Sequence, residues 1–202
     1  GGLGWDRKLF DDREYWNLEN NAIAFRNKAY SSKAQAFYDL IDAVASTYDL
    51  AWQAVTPAAV PNTDKDYIAI RDINTINKAC ENILTNCKNL GFGVNPNSEF
   101  IILAPIQFKT RLPRALGIVQ QPFAGSTAFA AYNTRIVYTM MLADSTKYYV
   151  ILPKQKIVGA TRMDLTIFSK FDPESYSDIA VGWQRYGGAI AEIKQIVRCS
   201  SS

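Results

Sequence analysis

The sequence predicts an α+β fold, and three observations carry that reading. Apolar residues recur at helical spacing over about six turns from residue 31 to about 55. A second amphipathic stretch, 72–90, leads through turn residues into the continuous apolar run Phe100-Ile101-Ile102-Leu103. The last third of the chain is then crowded with short strand-like runs separated by turn formers. With 202 residues, 48% hydrophobic and 20% charged, there is enough apolar surface to offset the entropy of ordering one domain or two closely joined ones.

Residues 1–29 mix aromatics and charges without a clean period. Trp5, Phe10, Tyr15, Trp16 and Phe25 are too many large rings for a chain end left in water, so this segment is expected to pack on a neighbouring molecule as an extended arm. The first helix is expected at 31 to about 55, with Ala34, Phe37, Tyr38, Ile41, Val44, Ala45, Tyr48, Ala51, Trp52 and Val55 on its stripe. Ser32 and Gln35 fit a capping box, and Pro57 bars continuation. At 1.5 Å per residue such a helix spans on the order of 35 Å, suited to lying across a sheet.

The proline-marked link 57–66 is expected to lead into a short strand at 67–70 and a second helix at 72–90. That helix carries Ile73, Ile76, Ala79, Cys80, Ile83, Leu84 and Cys87 on one face, with Gly91 at the left-handed cap position. Phe100-Ile101-Ile102-Leu103 reads as a central strand covered on both faces, followed by a short helix at 107–116 stopped by Gly117. The small, charge-poor loop 117–131 contains Phe123 and Phe129 and is expected to pack against copies of itself. Strands follow at 135–141, 147–152 and 163–168, then a crossover at FDPESY and a last strand in GWQRYGGAI. In that strand Ile179, Val181 and Trp183 are expected to face the long helix. Arg185 at the end of the face would either meet an acid of the arm or of a neighbouring subunit or snorkel out of the core edge, and Gly187-Gly188 would mark a bulge or a close backbone approach.

Chemistry is bounded mainly by what the sequence lacks. It contains no histidine, which removes the usual general base, the Ser-His and Cys-His pairings and the commonest transition-metal ligand. Asn62, Asp64 and Asp66 imitate the start of a calcium loop, but Tyr67 stands where glycine is needed and Ile73 where the bidentate glutamate belongs. Gly91 and Gly93 precede a strand instead of following one, and Gly125-Ser126 lacks the nucleophile-elbow frame. No metal, cofactor or catalytic residue is therefore assigned; an enzyme would have to use carboxylates such as Asp164 with Asp172 or Glu174. Three cysteines are an odd count, and Cys80 and Cys87 lie roughly 10 Å apart on one helix, so they read as small core residues. That count, with no N-x-Ser/Thr sequon and no apolar run near the ~20 residues of a membrane span, suggests a soluble intracellular protein. The net charge of +3 is mild, with acids gathered near the start and Lys109, Arg111, Arg114, Lys147, Lys154, Lys156, Arg162 and Lys170 later.

The order of these parts resembles the major capsid proteins of tailed phages with the Hong Kong 97 fold, and the block INKACENILTNCKNLGFGVNPNSEFIILAPIQFKTRLPRALG is especially similar to the head subunits related to phage Mu. Leu103-Ala104-Pro105 and Leu116-Gly117 occupy the places of the corresponding family segments. The resemblance implies an N-terminal arm or extended loop at 1–29, a peripheral domain of 30–70 and 173–202 with a long spine helix on an antiparallel sheet, and an axial α/β domain at 71–172. It implies a head protein, not an enzyme, that assembles into pentamers and hexamers as an icosahedral shell around double-stranded DNA. Assembly would take place in the host bacterial cytoplasm and the product would be the virion capsid. Scaffold, maturation protease, portal and decoration proteins are its further expected partners. The start at Gly1 fits protease cleavage or truncation. Trp5, Phe10, Tyr15, Trp16, Phe123, Phe129 and Arg185 are the expected subunit-interface residues. An encapsulin-like compartment enclosing protein is the alternative on the same fold; the carboxylate enzyme is the third reading.

Overall fold

The computed structural model describes residues 2–6, 15–45, 49–53, 65–89, 91, 95–117, 130–153, 157–174 and 177–201. Its elements are β1 (Gly2–Asp6), α1 (Tyr15–Ala45), β2 (Asp49–Leu50), α2 (Lys65–Asn89), β3 (Phe100–Pro105), α3 (Arg111–Leu116), β4 (Thr134–Thr139), β5 (Lys147–Ile151), β6 (Ile157–Asp172), β7 (Ser177–Ile190) and β8 (Ile196–Ser200), with 3₁₀ turns at Ile106–Lys109 and Ile193–Gln195. The chain divides into two compact units, 1–37 with 158–189 and 38–157 with 190–202. These boundaries fall inside α1 and at the ends of the β6–β7 pair.

In the first unit a three-stranded sheet, ordered β1-β7-β6, lies against α1. Trp5 of β1 stands opposite Asp178 of β7 in antiparallel register. The expected crossover at FDPESY is instead a hairpin: only four residues join β6 to its neighbour β7, which forces them antiparallel. Asp172 Oδ1 accepts from the Glu174 N–H at 3.2 Å and supports that turn.

The helix does not start at Ser31. It begins at Tyr15, because the stripe that faces the sheet runs on upstream at four-residue spacing through Phe37, Lys33, Ala29 and Phe25, all half-buried. Ser31 and Ser32 sit mid-helix on its exposed side, so they cap nothing. Residues 15–29 are thus helical, not an extended arm.

The face of β7 is also the opposite of the one expected. Ala180 is buried, Gln184 Nε2 donates to the Ala29 carbonyl at 2.9 Å, and Tyr186 packs on Phe37 with ring centroids 6.1 Å apart, so the even residues meet the helix. Trp183 is 60% exposed, and Arg185 shares its outward face. Neither Gly187 nor Gly188 has a positive φ. The close approach is at Gly182, where a Cβ would lie 2.7 Å from Phe25 Cζ and 3.1 Å from Leu165 Cδ1. Replacing Trp183 by Ser should accordingly leave thermal stability within about 0.5 kcal/mol, and a loss several times larger in a melting curve would contradict this placement.

The second unit is a five-stranded sheet ordered β2-β8-β5-β3-β4, with β3–β4 and β2–β8 parallel and β3–β5 and β5–β8 antiparallel. Strand alternation splits its side chains between two cores. Phe100, Ile102, Ala104, Tyr148, Val150, Val197 and Cys199 meet Ile76, Ala79, Cys80, Ile83 and Cys87 of α2. Leu103, Tyr149, Ile151 and Ile196 face the other way, toward Tyr38 and Ile41 in the last turns of α1. The expected double coverage of the Phe100 strand is therefore present.

Residues 67–70 are not a strand. Ala69 and Ile70 extend the buried stripe of Ile73, Ile76, Cys80 and Ile83 backward, so the helix forms from Lys65. At its other end Gly91 adopts φ +73°, and its N–H donates to the Lys88 carbonyl at 3.0 Å, the cap expected there. The first helix, conversely, stops at Ala45, short of the expected 55, because Asp49 and Leu50 pair with Arg198 and Cys199 of β8.

Candidate functional site

Few of the expected interface residues have side chains whose surroundings are described. Phe10, Phe123 and Phe129 lie outside the described residues. Trp5 is in β1, and Tyr15 and Trp16 open α1. Arg185 is exposed on the outer face of β7. The structure draws attention instead to the β6–β7 hairpin, where Val158, Ile167, Phe168 and Trp183 are between 50% and 60% exposed. Val158, Phe168 and Trp183 lie on the face of the hairpin turned away from α1, and Ile167 on the face that meets it.

Between α1 and β7 lies a groove of about 410 Å³ lined by Phe25, Lys28, Ala29, Leu165, Gly182 and Gln184 among others. It opens where β1 stops pairing, at Gly2 opposite Val181. The Gln184 Oε1 on its wall is buried with no hydrogen-bond partner among the described residues.

The second unit contains a polar hub that sequence reasoning missed. Asp72 is completely buried on the apolar stripe of α2, where Arg111 of α3 grips it with two hydrogen bonds of 2.6 and 2.8 Å. Trp52 Nε1 donates to the same carboxylate at 3.0 Å. The Trp52 ring is covered by the Arg71 guanidinium at 3.8 Å, and Arg71 donates to the Gln53 and Trp52 carbonyls. Arg111 also reaches the Ser201 carbonyl at 3.0 Å, tying the C-terminal strand to both helices. Burial raises the Asp72 carboxyl above its ordinary range, against the pull of Arg111. With its oxygens gripped by Arg111 and Trp52, this carboxylate cross-links the elements that carry them. The sequence signal was an acid on a buried helical stripe.

Reactive chemistry is not assembled elsewhere among the described residues. Asp164 and Asp172 are eight positions apart on one strand, about 26 Å at strand rise, so they cannot act together. Each carboxylate accepts a hydrogen bond from a nearby backbone N–H, of Leu165 and Glu174 respectively. No group of three His, Cys, Asp or Glu placed to hold a metal occurs among the described residues, and no helix there is long and apolar enough to cross a membrane. Cys80, Cys87 and Cys199 are free thiols with no exposed surface, and burial pushes the Cys80 thiol up to about 12. A disulfide-exchange reagent should thus label none of them in the native protein and all three after guanidinium; native labelling would contradict the packing.

Arg198 of β8 pairs with Asp49 at 2.6 Å and with Asp42 at 3.5 Å, joining β2 and the end of α1 to the sheet. The hydrogen bond from Arg198 holds the Asp49 carboxyl below its ordinary value of 3.8. A depressed carboxylate contributes stability above the unfolded-state value and loses it as pH falls through the folded one. Wild type should therefore lose more stability than Asp49→Asn between pH 7 and about 3, modestly because the pair is partly exposed. Equal acid dependence in the two melting series would remove this contribution.

No sequence-family model and no curated protein matches the chain. Solved structures do. The asymmetric unit of the bacteriophage PhiM1 mature capsid matches with a TM-score of 0.64 at 17% identity, over 99% of this chain and 69% of that one. A virus-like particle from Pyrococcus furiosus matches at TM-score 0.60 and 11% identity, over 99% and 75%. A structure from Mycobacterium phage Che8 matches at 0.58 and 15%, over 100% and 70%. The chain has the Hong Kong 97-type fold of tailed-phage capsid proteins.

Proposed function

We propose that this chain is a shell-forming protein, the major capsid subunit of a tailed bacteriophage, whose copies associate as pentamers and hexamers around double-stranded DNA. The observation that carries the proposal is the match of virtually the whole chain to a mature phage capsid subunit. The concentration of exposed apolar residues on the β6–β7 hairpin supports it, since a subunit that buries this surface against copies of itself needs no catalytic group. In this reading the first compact unit is the peripheral domain and the second the axial domain. Trp5, Phe10, Tyr15, Trp16, Phe123, Phe129 and Arg185 are retained as contacts between subunits. A mild net charge of +3 suits packaged DNA, held through weak phosphate attraction that does not oppose packing and release.

The likeness to a virus-like particle keeps an encapsulin-like, protein-filled shell as the second reading. Particles recovered from the source cells and digested with nuclease and protease separate the two. Protected double-stranded DNA in tailed particles supports the capsid reading; a protein cargo without DNA overturns it in favour of the compartment.

A further inference from the structure

β6 is the outermost strand of the first unit's sheet, on the side away from β1, and among the described residues β7 is its only strand neighbour. Contacts within the unit fix its two faces. A Cβ at Gly159 would lie 3.3 Å from Phe37, and Leu165 meets the space above Gly182 beside Phe25, so odd residues look toward α1 and even residues away. Exposed apolar side chains stand on both faces, Met163, Ile167 and Phe171 on the first and Phe168 on the second. An edge strand of this kind pairs with another strand unless charge or cover prevents it.

The charges of β6 are arranged for one particular partner. There are four, Arg162, Asp164, Lys170 and Asp172, all even and therefore all on the outer face. Counted from Ile167, Asp164 and Lys170 stand three positions away on either side, and Arg162 and Asp172 five. The strand is thus charge-complementary to its own antiparallel copy. With Ile167 opposite Ile167, Asp164 meets Lys170 and Arg162 meets Asp172, each twice, while Met163 meets Phe171 on the other face. The neighbouring registers that keep the faces aligned set like charges opposite each other. Centring on Thr166 puts Arg162 against Lys170, and centring on Phe168 puts Asp164 against Asp172. Neither Arg162 nor Lys170 forms an ion pair within the chain among the described residues.

From this we infer that β6 of one copy pairs with β6 of a second copy, antiparallel and centred on Ile167, joining two three-stranded sheets into one of six strands. The contact is isologous and closes on itself as a twofold dimer. Its axis runs normal to the sheet, which keeps the helix-bearing faces of both sheets on the same side. The inference goes beyond the shell reading and is separable from it: pentamers and hexamers repeat about fivefold and sixfold axes, and this twofold contact would join one such ring to the next.

Two sets of variants of the purified protein test the register. Ile167→Cys brings two new thiols face to face on the twofold axis, and a copper-phenanthroline oxidant is expected to link them into a disulfide dimer. Ser169→Cys, exposed on the same face, pairs with Leu165; its own thiols stay offset by about 13 Å along the strands, beyond disulfide reach, and no dimer is expected. The native thiols are buried and do not compete. Asp164→Lys and Lys170→Glu each set like charges opposite when paired with themselves, and each should weaken self-association at least tenfold in sedimentation, with the circular dichroism of wild type. Mixed one to one, they restore both pairs and should associate as wild type does. Equal cross-linking at 167 and 169, none at 167, or a mixture no tighter than its single variants overturns the inference. So does protection of β6 amides from exchange in the dilute monomer, which would put a segment of the same chain on this edge. Shells that form while Ile167→Cys yields no dimer overturn this contact alone. A dimer from Ile167→Cys with no shell under any condition supports the contact and overturns the shell reading.

Discussion

Arg111→Ala is expected to be among the most destabilising single changes in the second unit. It removes the fork that holds the fully buried Asp72 carboxylate and leaves that charge with Trp52 as its remaining hydrogen-bond donor among the described residues. Breaking a buried pair from one side costs about 3–5 kcal/mol, which for a chain of this size lowers the melting temperature by roughly 6–20 °C. Trp52 reports the event directly, since its indole is hydrogen-bonded to Asp72 and stacked on Arg71. Replacing both partners, Asp72→Leu with Arg111→Met, should recover part of the loss, because an apolar pair leaves no buried charge. A single mutant within about 0.5 kcal/mol of wild type would show that the hub carries little of the stability.

Gly182→Val should strike the other unit. The ring of Phe25 and the side chain of Leu165 occupy the space a side chain would take, at 2.7 and 3.1 Å from an ideal Cβ. A branched residue must push the helix off the strand or rotate both neighbours, an overpacking cost of about 1–3 kcal/mol. Phe25→Ala in the same background should relieve some of it, giving a non-additive double mutant. Independent, additive losses in thermal melts would mean that Phe25 and residue 182 do not meet.

These two sites also show where sequence reading succeeds and stops. The second unit was legible because its signals are local: the Phe100 strand is apolar on both faces, α2 has a sustained stripe, and Gly91 sits at the only kind of position where its positive φ is needed. The hub was not, since Trp52, Asp72, Arg111 and Ser201 are brought together only by tertiary folding. In β7 alternation was visible but its inward set was not. Ile179, Val181 and Trp183 are the larger residues, yet the helix packs so close that the smaller set, Ala180 and Gly182, had to face it. The upstream start of α1 was hidden by its mostly exposed, asparagine-bearing surface, which lowers helix propensity and blurs the stripe.

GWQRYGGAI thus gains a definite physical content: Gly182 admits the long helix, Gln184 ties to it, and Trp183 is left outward. The most direct test is the size of the purified protein, by sedimentation and electron microscopy over a concentration series. Closed shells of uniform diameter are the predicted result; a monomer at every concentration, with no assembly on adding candidate scaffold or nucleic acid, would contradict a shell-forming role.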